Sequence, residues 1–116
     1  TGNDEKLDLG AFGTLTFLEM HCNSTKGSCR IELPPYLRRL KLFRSIFKFS
    51  SAYNTHRFTF TLPSSLKTLD IASVSRPVFR IGISREHLAT LEIIGDSGNG
   101  EQDGRIATDW GEFVIN

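Results

Sequence analysis

Residues 33–42 read LPPYLRRLKL and residues 62–71 read LPSSLKTLDI. The two stretches share one spacing of apolar side chains: Leu37, Leu40 and Leu42 in the first, Leu66, Leu69 and Ile71 in the second. The last two apolar positions of each are two residues apart, so they leave the same side of an extended strand while the residue between them leaves the other. Outward from this pair, the same triplet recurs at Leu15, Leu18 and Met20, at Leu88, Leu91 and Ile93, and at Trp110, Phe113 and Ile115. Its first positions are separated by 22, 29, 22 and 22 residues. Five occurrences at nearly one interval constitute a repeat, and a fixed interval in this range decides architecture before any local preference does.

A second regularity precedes each triplet. Apolar residues alternate at Leu7 and Leu9, at Cys29, Ile31 and Leu33, at Phe58, Phe60 and Leu62, and at Phe79, Ile81 and Ile83. Period two again means extended backbone. The expected fold is therefore a β-rich repeat solenoid. Its concave face is a parallel sheet of about five short strands, at residues 17–20, 39–42, 68–71, 90–93 and 112–115, and its convex side is extended, with no α-helix longer than about two turns. Leu33-Pro34 and Leu62-Pro63 fit turns at the ends of outer strands, where proline's fixed φ and missing N–H do no harm. The 29-residue interval carries an insertion within Ser45 to Arg57.

The two quoted stretches resemble the LPxxLxxLxL segment of leucine-rich repeats, and the extended stretches before them are most similar to the FNIP-type and the bacterial-effector (IpaH-like and YopM-like) subclasses. The resemblance covers residues 7 to 116. It implies a non-enzymatic binding scaffold. It also implies an asparagine eight residues after each first apolar position, whose amide bonds successive backbone turns. Here those positions hold Asn23, Ser45, Val74 and Asp96, so only the first has the ladder residue.

Composition agrees with one folded domain over residues 1–116. At 116 residues the chain has room for one core. With 14 basic and 13 acidic side chains it offers no global field for a polyanion, so nucleic acid is not an expected partner. No apolar stretch reaches the roughly 18 residues that span a bilayer, and no membrane insertion is expected. A start at Thr1 and structured-looking residues Trp110 to Asn116 suggest an excerpt of a longer protein.

Several short strings imitate chemistry. GDSG at Gly95–Gly98 resembles a protease nucleophile loop, but a triad needs a base and an orienting carboxylate, and His21, His56 and His87 stand in no matching segment. NGEQDG at Asn99–Gly104 partly imitates a calcium loop, yet the twelfth position would be Trp110 where a bidentate Glu is required. Cys22 and Cys29 either fill core slots as thiols or bridge, and without further ligands at suitable spacing they imply no metal. Asn23-Ser24-Thr25 is a glycosylation sequon that competes with the ladder role of Asn23. Trp110, in an apolar triplet position, belongs to the core. No catalytic residue, cofactor or metal is expected.

The expected site lies on the concave strands, where residues between the apolar positions stand side by side. One column holds Phe17, Arg39, Thr68, Thr90 and Glu112; the next Glu19, Lys41, Asp70, Glu92 and Val114; the third His21, Phe43, Ala72, Ile94 and Asn116. Phe17, His21 and Phe43 surround Arg39 and Lys41, with Arg44 beside them. Aromatic residues and arginine concentrate at the centres of protein interfaces. The candidate partner-binding set is therefore Phe17, Glu19, His21, Arg39, Lys41, Phe43, Arg44, Asp70 and Glu92. It suits a protein partner, in a scaffold that serves among other roles as the substrate-recognition part of a larger assembly. The alternative is a carbohydrate or other non-protein ligand. End strands without polar caps add an expectation of self-association.

Overall fold

The computed structural model describes residues 5–22, 28–43, 57–74 and 77–116. Along the chain run β1 (Glu5–Asp8), β2 (Phe17–His21), β3 (Ser28–Glu32), β4 (Arg39–Phe43), β5 (Arg57–Thr61), β6 (Thr68–Ser73), β7 (Phe79–Ile83), α1 (Arg85–Thr90), β8 (Glu92–Ile94), β9 (Arg105–Thr108) and β10 (Gly111–Ile115). Up to β8 the strands alternate between two sheets, each added beside the strand two earlier. One sheet has the order β2-β4-β6-β8 and the other β1-β3-β5-β7-β10-β9. Every pairing is parallel except that of β9 with β10.

Registers turn the apolar alternation into stacked columns. In the four-stranded sheet Leu18, Leu40, Leu69 and Ile93 stand in line. In the six-stranded sheet Cys29, Phe58 and Phe79 form one line, and Phe60, Ile81 and Phe113 another. The core lies between the sheets: Leu37, Leu40, Leu42, Leu69, Ile71, Phe79, Ile81, Phe113 and Trp110 are fully buried. Burying each such side chain contributes about 1.5–3 kcal/mol before entropy is counted. The segments expected to be extended outside the triplets are β1, β3, β5 and β7.

Two expectations need correction. The first concerns register in the fourth strand. Thr68 faces Glu92 and Leu69 faces Ile93, two residues beyond the positions that equal spacing assigns, so Leu91 does not stand in line with Leu69. The cause is α1. Ser84 is its N-cap and accepts from the His87 N–H at 3.1 Å, and this helical stretch occupies the crossing from β7 to β8. That crossing is nine residues from Ile83 to Glu92, against seven from Thr61 to Thr68.

The second concerns the fifth strand. Residues 112–115 do not extend the four-stranded sheet, which therefore has four strands among the described residues and not about five. They form β10, between β7 and β9 in the other sheet. The chain reverses at Asp109–Trp110 and β9 folds back antiparallel, with Ile106 opposite Phe113. The Trp110 carbonyl accepts from the Val78 and Phe79 N–H groups, both at 3.0 Å, which docks the hairpin on β7. Trp110 is wholly buried, edge-on to Phe113 at 4.9 Å between ring centroids, and its Nε1–H donates to the Asp96 carbonyl at 2.7 Å.

Candidate functional site

The outer face of β2, β4, β6 and β8 carries most of the side chains singled out from the sequence. Parallel pairing sets Phe17 beside Arg39, Glu19 beside Lys41 and His21 beside Phe43. The Phe17 ring is 48% exposed, and the Arg39 guanidinium lies 5.7 Å from its centroid. The Lys41 ammonium lies 5.0 Å from the centre of the Phe43 ring. On that same ring the His21 imidazole stacks at 4.5 Å and 9°.

These contacts explain how long basic side chains are held on an open sheet. Both cations sit against ring faces, whose quadrupole attracts positive charge by about 0.5–1 kcal/mol at exposed sites. No described carboxylate forms an ion pair with either of them, although Glu19 and Asp70 flank Lys41 in register. The other sheet is the contrast. There Glu112 receives Arg80 Nε at 2.8 Å and Arg105 Nη1 at 3.6 Å. Among the described residues Arg39 and Lys41 are thus held by ring contacts and not by ion pairs.

The acidic half of the expected site is rearranged. Asp70 is only 9% exposed, and a bulge in β6 brings its Oδ1 to 3.3 Å from the Ala72 N–H, which donates to it. The bulge also sets Ser73, and not Ala72, beside Phe43. Glu92 moves from the second column to the first, where it accepts from the Thr68 hydroxyl at 3.0 Å, and Ile94, 37% exposed, takes the place beside Asp70. Thr90 lies in α1, and Glu112 and Val114 lie in β10 of the other sheet. Arg44, Asn23, His56 and the insertion before Arg57 lie outside the described residues. The face therefore has a compact basic and aromatic end and a thinner acid margin. His87, by contrast, is structural: its Nε2 lies 2.7 Å from the Leu66 carbonyl, tying α1 to the preceding crossing.

Other polar features are explained by the fold. Asp96, in the GDSG string, accepts from the Gly98 N–H at 2.9 Å and the Asp109 N–H at 2.7 Å, so it braces a loop. These N–H groups, that of Asp109 foremost, hold its carboxyl below the ordinary range. Cys22 is a buried thiol beside a cavity of about 580 Å³ whose lining includes Lys6, His21 and Cys29. Burial first, and the neighbouring Cys29 second, push its pKa up to about 12, so it is a protonated, poorly nucleophilic group. Among the described residues no group of three or more His, Cys, Asp or Glu is placed to hold a metal ion, and no helix is long and apolar enough to cross a membrane. No protein-family model, characterised protein or solved structure matches the chain.

Proposed function

We propose that the chain is a solenoid of the leucine-rich-repeat class, and that the outer face of its four-stranded sheet docks a protein partner without doing chemistry on it. The observation that carries this reading is the array of Phe17, His21, Arg39, Lys41 and Phe43, exposed or half-exposed, with each cation seated on a ring. Seating restrains side chains that would otherwise lose much rotamer entropy on binding, which lowers the cost of association. Within this reading the chain supplies the recognition surface of a larger assembly, with substrate recognition as one such role.

The test is photocrosslinking from a benzophenone residue placed at Thr16, at the margin of the array, with the same residue at Thr59 on the other sheet as control. A partner captured at the first position and not at the second is the expected result. Its affinity should fall by about 2 kcal/mol, some thirtyfold, on Arg39→Ala or Phe43→Ala. Equal capture at both positions, or an affinity indifferent to both substitutions, would remove the array as the site.

A further inference from the structure

The two ends of the stacked strands are finished differently. The inward residues Ile31, Ile81 and Phe113 of the six-stranded sheet are at most 4% exposed, yet Leu7, paired with Ile31, is 43% exposed. Phe113 at the far end is covered by β9 and by Trp110. At the near end neither β1 nor β2 pairs along its outer edge with any described strand. Phe12, in the stretch that joins them, is 54% exposed. Among the described residues this end thus presents two sheet edges beside an exposed apolar margin, which is a template for further strand pairing.

Charge says what fits there. Along β1 Lys6 stands beside Arg30 and Asp8 beside Glu32, so each charge has a like neighbour on the β3 side. Like charges directly alongside one another in a sheet are destabilising, and opposite ones stabilising. An antiparallel copy of β1 centred on Leu7 reverses this, because it sets Lys6 of each chain opposite Asp8 of the other.

We propose that this end is the interface of a two-fold dimer of the chain, with β1 pairing antiparallel to its own copy about Leu7 and the β2 edges brought toward each other by the same rotation. A second copy offers what the end requires: two strand edges, an apolar margin and reversed charges. A two-fold interface uses the same surface of both chains, so it closes on itself and association at this end stops at two. The dimer also places two aromatic and basic arrays next to each other, but it does not depend on their binding anything.

The test is sedimentation equilibrium of the full chain from micromolar to submillimolar concentration, without any partner. Two chains per particle are expected. Lys6→Asp places carboxylates opposite Asp8, and Asp8→Lys places ammonium groups opposite Lys6, so each variant alone should weaken the dimer about tenfold or more. Mixing the two variants restores opposite charges at both positions and should restore the dimer. Circular dichroism establishes that each variant is folded. A monomer throughout the range, polymers beyond the dimer, or a mixture no tighter than its components would overturn the proposal.

Discussion

Gly111 shows how much one residue carries. Its φ is +143°, and a Cβ placed there would lie 1.8 Å from the Phe79 carbonyl oxygen. That oxygen belongs to the strand on which β10 docks, so it has no freedom to retreat. Gly111→Ala should cost on the order of 4 kcal/mol or prevent folding, an effect at the extreme of single substitutions. Urea denaturation checks it, and a loss under about 1 kcal/mol would mean that β10 does not sit against β7 as described. Asp96 gives a pH dependence. Its carboxyl is held down in the folded chain by the Asp109 and Gly98 N–H groups. The stability it adds is therefore complete above the unfolded value of about 3.9 and is lost as pH falls through the lower folded value. The gap in urea midpoint between the native chain and Asp96→Asn should accordingly narrow from neutral pH to about pH 3. A gap that widens in acid would assign the stabilisation to another group.

At the scale of elements, the helix that shifts a register is the most informative. Ser84 caps α1, and Ser84→Ala should cost about 1 kcal/mol by leaving the His87 N–H without its acceptor. Thermal unfolding measures this, and no change would show that the crossing is held by His87 and Leu66 alone. The same element marks the boundary of what the sequence makes legible. Triplet and alternation predict seven strands, β1 to β7, from side-chain periodicity, because both sheets bury one face and leave the other wet. Counting residues fails at β8, since a helical crossing uses up chain differently from an extended one, and Ser84-Arg85-Glu86 with good helix formers after it was the available signal. It fails again at Trp110, Phe113 and Ile115. Their spacing suits a strand of either sheet, and only the run Ile106 to Thr108 before Asp109-Trp110-Gly111 hints at a hairpin. On the outer face of the four-stranded sheet, Phe17, His21, Arg39, Lys41 and Phe43 come together as their spacing predicts. Asp70 does not join them in the open, because a bulge is a backbone event that the residue pattern leaves unmarked.

Across the whole molecule, β9 and β10 are the one pair of described partners adjacent in the chain; other pairings join strands two or three strands apart in sequence order. This difference is one of time. A hairpin closes in about 1–10 μs, whereas domains built on distant pairings fold in milliseconds to seconds because a long loop must be ordered before any contact rewards it. The hairpin should therefore be the nucleus, and β7, which it docks, the first strand to be recruited. Refolding kinetics can tell: Phe113→Leu should slow refolding with a φ-value of about 0.5 or more, while Leu40→Val, in the middle of the other sheet, should mainly hasten unfolding. The reverse assignment would put the nucleus elsewhere. If the order holds, a growing chain gathers up its strands from the hairpin backward, opposite to the direction in which they are synthesised. Strands β1 to β8 then wait, collapsed but unpaired, for the residues that close them, and this interval is when the chain is most open to misassembly.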